Sequence, residues 1–276
     1  PKGNFLGFYQ KDESNVTDYP LVDITTTPAS LNNIKYPMNG MGSEIAKVGV
    51  YSMKNQSVIY LDIDTSDEHY LTNLSWSPDE KYIFLAEVNR DQNHMWFNMY
   101  DANTGRKIKT LFEEKNDKWV EPEHPAYFIG EGNDFIWMSE KDGFMNMYLV
   151  DFDRKITEFV FEGKPMEVLQ EGIKQITNHR FVVKDILEVD VSNKLIYYAA
   201  TGENPCNTMI YVTDLVGNSK TLSKYEGVHR FDLSDDGLYY YIGYSSTTMP
   251  NHEMIYTTNG KMAKFLKESI NPMNEY

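Results

Sequence analysis

The chain has one cysteine, Cys206, so no intramolecular disulfide can form. Lying between Pro205 and Asn207, it reads as an inert loop thiol and not as a nucleophile. The histidines (His69, His94, His124, His179, His229 and His252) are too dispersed for a zinc spacing. No apolar run approaches the ~20 residues of a membrane-spanning helix. Basic residues are outnumbered, 26 Lys and Arg against 41 Asp and Glu, which leaves a formal net charge of −15. A nucleic-acid partner needs a basic face and is excluded on that ground. The acidity reads as surface solubility. A phosphate loop, a dinucleotide fingerprint and a His-Glu-x-x-His motif are all missing, and neither metal nor other cofactor is expected. The nearest approach to a Gly-x-Ser-x-Gly elbow, Gly243-Tyr244-Ser245-Ser246-Thr247, lacks the closing glycine and reads as the end of a strand. Helical periodicity is scarce. Residues 260–269 fit a turn or two of helix, or equally an edge strand. The first residues, Pro1-Lys2-Gly3-Asn4, are not a translation start, so no signal peptide is read and the chain is expected to begin inside a longer one.

What is present is a set of short apolar and aromatic runs. With 276 residues, 41% of them hydrophobic, there is enough chain for a substantial core. Aromatics make up 14%, with 20 Tyr and 14 Phe, which favours strands. Tyr82–Ala86, Phe135–Met138, Leu195–Tyr198 and Leu238–Ile242 are each bounded by Asp, Asn, Gly or Ser. Ser77-Pro78-Asp79, Gly130-Glu131-Gly132-Asn133, Ser192-Asn193 and Asp235-Asp236-Gly237 mark turns between them. A repeat joins these pieces: apolar, any residue, apolar, Ser, a turn, then an aromatic strand. It is clearest at Leu74–Tyr82 and at Phe231–Tyr239, weaker at Phe128–Phe135 and Val189–Leu195, and halved at Pro1–Leu6. A second strand and an outer strand follow, as in Trp96–Tyr100, the turn Asp101–Gly105 and Arg106–Phe112. The same order returns at 147–153 and at Met209–Asp214. The chain is therefore read as all-β. The repeat is that of a propeller blade, which cannot bury both faces alone and must stack on its neighbours. A β-sandwich stays open as the rival, because the intervals are uneven.

Two acidic clusters invite a functional reading. Glu113-Glu114 is placed on a solvated loop at a blade edge. Trp119-Val120-Glu121-Pro122-Glu123-His124-Pro125 is richer, with an aromatic ring, two carboxylates and an imidazole on a loop stiffened by two prolines. Such a loop can hold an ammonium group or a peptide end through charge-assisted hydrogen bonds. It can equally be a packed connection between blades. Asp12-Glu13-Ser14, beyond the first inner strand, carries the same two readings.

The segment Leu71–Glu80, continuing through Ala86–Arg90, resembles the bacterial dipeptidyl-peptidase IV and prolyl tripeptidyl-peptidase family. So do Tyr100–Arg106, Thr110–Phe112, Trp119–Pro122, Asp12–Ser14, Tyr36–Met38, Val228–Arg230 and Leu233-Ser234. The likeness runs over nearly the whole chain and is loosest from about 155 to 225. It implies a partial β-propeller over residues 1–276, with a truncated first blade and about five of the family's eight blades. The family joins this propeller to an α/β-hydrolase domain carrying Ser, Asp and His, and cuts behind proline near peptide N-termini. That domain is expected after Tyr276, and the family's ammonium-binding glutamates before Pro1, so no catalytic residue is assigned in this chain. Trp119, Glu121, Glu123 and His124 are the expected lining of the substrate pocket. The partners implied are proline-containing peptides, the hydrolase domain and other copies of the chain, in a bacterial periplasm or at the cell surface. A stand-alone propeller that binds without peptidase activity is the alternative.

Overall fold

The computed structural model describes residues 2–152, 159–161, 164–166 and 173–275. They form two compact units, Pro1–Pro125 and Ala126–Tyr276. Nearly all the regular structure is strand. The described residues contain no α-helix, only a short 3₁₀ turn at Pro272–Glu275.

The first unit begins with β1 (Phe5–Asp12), followed by a separate hairpin of β2 (Asp18–Asp23) and β3 (Ser30–Lys35). β4 (Ile45–Ser52) then returns to pair antiparallel with β1, and β5 (Ser57–Tyr60) completes a three-stranded sheet. Next come β6 (His69–Trp76), β7 (Tyr82–Asn89), β8 (His94–Asp101) and β9 (Lys107–Lys115), a four-stranded meander. Val48, Val50 and Leu61 meet Ile83, Leu85 and Tyr100 in a core between these two sheets.

The second unit holds three four-stranded meanders. β10 (Tyr127–Phe128), β11 (Phe135–Ser139) and β12 (Asn146–Val150) are followed by a short hairpin, β13 (Phe159–Phe161) and β14 (Lys164–Met166). β15 (Ile173–Gln175) then joins β12. The next sheet is β16 (Val183–Asp190), β17 (Leu195–Ala200), β18 (Met209–Asp214) and β19 (Lys220–Thr221). The last is β20 (Val228–Leu233), β21 (Tyr239–Ser245), β22 (His252–Thr257) and β23 (Met262–Glu268). Ile136, Met147, Val183, Ile196 and Tyr198 share one buried cluster, and Tyr240, Ile242, Tyr244 and Tyr256 another.

In three of the four meanders the second strand is covered on both faces. β7, β11 and β17 are buried almost throughout, which is why they read as unbroken apolar runs. β20, covered on one side, alternates: His229 is buried, while Val228, Arg230 and Asp232 are exposed.

Of the two readings open for residues 260–269, the edge strand is the one found, as β23. Two other expectations change. Glu113 and Glu114 lie inside β9, which runs three residues beyond Phe112, and not on a loop; both are half-buried. Of the run 147–153, the strand ends at Val150 and Asp153 lies outside the described residues. The β2–β3 hairpin explains why the first repeat interval is so long. Its residues are almost all exposed, so no core-facing alternation marks it in the sequence.

Candidate functional site

The loop after β9 carries the candidate residues. Its start is pinned when the Asn116 amide donates to the Asn93 carbonyl at 3.0 Å, and its middle when the Val120 amide donates to the Gln92 carbonyl at 2.7 Å. Both acceptors sit at the tip of the β7–β8 hairpin. That tip is itself folded around Asn89, whose Oδ1 accepts from the Asn93 and His94 amides at 3.0 Å each. Further on, the Asn73 side chain in β6 donates to the Pro122 carbonyl at 2.9 Å. Val120 is thereby buried, while its neighbour Trp119 stands 57% exposed, with the Lys118 ammonium 5.9 Å from its ring centre. Glu121 and Glu123 are exposed and His124 is half-buried, its Nε2 3.9 Å from Glu123 Oε2.

The structure therefore brings all four predicted residues onto one anchored loop, with the ring and both carboxylates turned to solvent. An aromatic face beside carboxylates suits a cationic or ammonium-bearing group. It supplies no nucleophile. Among the described residues no group of three or more His, Cys, Asp or Glu is placed to hold a metal.

The surroundings were not legible in the sequence. His94 contacts Glu113 Oε2 at 2.7 Å and lies against the Trp96 ring, 3.7 Å between centres. Arg90 reaches Glu68 Oε2 at 3.2 Å and the Tyr70 hydroxyl, and Glu68 Oε1 accepts the Ser43 amide at 2.9 Å. These pairings tie the β7–β8 tip to its neighbours across long sequence separations. The clustered asparagines Asn89 and Asn93 were the one available signal.

Other candidates settle into turn duties. Asp12 Oδ1 accepts the Ser14 amide at 2.9 Å, and that bond holds its carboxyl below the usual range. Ser246 accepts the Thr248 and Met249 amides just beyond β21. Cys206 is exposed, its amide donating to Asn204 Oδ1 at 3.1 Å.

Residues 1–251 match the family model of the dipeptidyl peptidase IV N-terminal region. A crystal structure of a dipeptidyl aminopeptidase IV candidate from Bacteroides ovatus superposes with a TM-score of 0.89 at 34% identity, over 100% of this chain and 40% of that one. Porphyromonas gingivalis dipeptidyl peptidase 4 shares the fold at a TM-score of 0.79 and 22% identity, over 99% of this chain and 37% of the other. A dipeptidyl-aminopeptidase B candidate from Podospora anserina is 23% identical over 92% of this chain and 29% of its own length. The chain thus spans about a third of the curated relatives it matches. Its sheets are blades of a partial β-propeller, and the chain belongs to the dipeptidyl peptidase IV N-terminal region family.

Proposed function

We propose that this chain is the non-catalytic propeller of a proline-specific serine aminopeptidase, where it gates access to the substrate cavity and shapes its wall. The catalytic domain would be a separate α/β-hydrolase unit of the same protein. Substrates would be peptides with proline near the N-terminus. The observation that carries the reading is the match of residues 1–251 to that family region, with Trp119, Glu121, Glu123 and His124 on a loop anchored at three backbone points. In this role the Trp119 ring and the two carboxylates line the pocket and face the peptide's positive end, while bond cleavage takes place on the other domain. A bacterial periplasm or cell surface is the compartment that goes with this reading.

The test compares this chain with the full-length product of its gene on Gly-Pro and Ala-Ala-Pro chromogenic substrates. An inert chain and an active full-length protein support the accessory role, and the preferred substrate decides between release of two residues and of three. A full-length product that cleaves neither overturns it in favour of a binding propeller without peptidase activity.

A further inference from the structure

Asn73 occupies an irregular point in β6. The pairing of β6 with β7 slips between Thr72 and Ser75, so that β6 carries one extra residue. In one type of bulge the first of the two extra-strand residues takes a left-handed backbone conformation. Asn73 does so at φ 59°, and asparagine is among the few side-chain-bearing residues that adopt it readily.

The side chain of this residue then makes a contact 49 residues away. Its Nδ2 donates to the carbonyl of Pro122 at 2.9 Å. Pro122 lies between Glu121 and Glu123 and, as a proline, has no amide hydrogen. Its carbonyl is the only backbone polar group it can offer, and Asn73 takes it. The other fixed point of this stretch is the Val120 amide on the Gln92 carbonyl at 2.7 Å. Gln92 also has a left-handed backbone, φ 54°, at the hairpin tip. Two strained positions in the blade thus hold one loop, on either side of Glu121.

We propose that Asn73 is a positioning residue for the Trp119–Glu123 rim, its side-chain amide fixing where the two carboxylates stand. The part of this that concerns substrate rests on the reading that the rim lines the substrate cavity. Asn73 touches no substrate and acts only through the loop.

Two variants isolate the amide. Asn73→Gly keeps the left-handed backbone without a side chain. Asn73→Asp keeps shape and backbone preference but replaces the donor with an oxygen that cannot donate to the Pro122 carbonyl. The first readout is hydrogen exchange at the Val120 amide in this chain, with a thermal melt to confirm folding. The second is kcat and KM of the full-length protein carrying the same changes, on the Gly-Pro and Ala-Ala-Pro substrates. Loss of one hydrogen bond should speed exchange roughly three- to tenfold in both variants, with the melting temperature nearly unchanged. KM should rise by a similar factor with kcat held, as expected when binding is lost equally from the ground state and the transition state. Unchanged exchange in both variants overturns the positioning role. Faster exchange with unaltered KM overturns the pocket-lining reading and the substrate part of this proposal, so the two failures are told apart.

Discussion

Ser77 and Ser234 show how much one hydroxyl does in this fold. Each closes the turn between the first and second strands of its meander. Ser77 Oγ accepts the Tyr82 amide at 3.0 Å and donates to Asp79 Oδ1 at 2.7 Å, and that oxygen also accepts the Lys81 amide at 3.1 Å. Ser234 repeats the arrangement with Tyr239, Asp236 and Leu238 at 3.0, 2.6 and 3.0 Å. The surroundings differ, since Ser77 is fully buried and Ser234 only half-buried. Ser77→Ala should therefore cost about 1–3 kcal/mol and Ser234→Ala ~1 kcal/mol or less, because water can replace the lost partner only at the second site. Urea unfolding of the two variants checks the order, and an equal loss would refute the burial argument. Histidine sets a second residue-scale expectation. Burial lowers His179 and His229 from their ordinary 6.5, outweighing in His229 the backbone bonds that would raise it. A histidine whose pKa is depressed by folding takes up a proton more easily when unfolded. Its stabilising contribution is complete above the ordinary value and is lost as pH falls through 6.5 toward the folded pKa. Thermal melts should therefore show stability declining below neutrality, before the carboxylates titrate. Replacing both histidines by Gln should flatten that decline.

At the scale of the element, what the sequence revealed was burial pattern. Strands covered on both faces announce themselves as apolar runs, as β7, β11 and β17 do, and turns rich in Ser, Asp, Asn and Gly mark where they begin. The β2–β3 hairpin escaped because it has no buried face and carries Pro20 within a strand. The four residues of the candidate rim were legible from their chemistry. Its anchors were not, because a bond from Asn73 to a carbonyl 49 residues away leaves no local pattern. Gly105 is an intermediate case. The Asp-to-Gly turn was visible, but its contact was not: the Asp62 amide donates to the Gly105 carbonyl at 2.8 Å, tying the β8–β9 turn to the chain leaving β5. Gly105 has φ +72°, and a Cβ there would lie 2.2 Å from the Tyr60 carbonyl oxygen. Strain and collision add, so Gly105→Ala should cost at least ~2 kcal/mol, above the usual ~1 kcal/mol of a glycine substitution. Gly143→Ala is the control, since its φ is +103° but nothing lies within 4 Å. Denaturant midpoints that fall equally in both would show that the contact contributes nothing.

For the whole molecule the governing balance is between exposed apolar surface and net charge. Val22 and Leu31 face each other across β2–β3 at 61% and 69% exposure, on a hairpin that has no third strand among the described residues. β23 is an outer strand exposed along its full length, with Met262, Phe265 and Leu266 on it. Unpaired strand edges and apolar patches of this kind favour association. A net charge of −15 opposes it, because every copy repels every other. That repulsion acts over a Debye length of about 30 Å at 0.01 M salt and about 8 Å at 0.15 M, whereas contact between apolar side chains is not screened. We propose that the chain self-associates, and the balance predicts that salt promotes the association. Sedimentation velocity over a concentration series should give a species closer to monomer at roughly 0.01 M salt and larger species at roughly 0.15 M. Val22→Lys with Leu31→Lys should shift the higher-salt result back toward monomer if the hairpin is the main contact. A monomer at both ionic strengths and high concentration would mean that the exposed strands are too short, or too well guarded by Lys264, Lys267 and Glu268, to recruit a second copy.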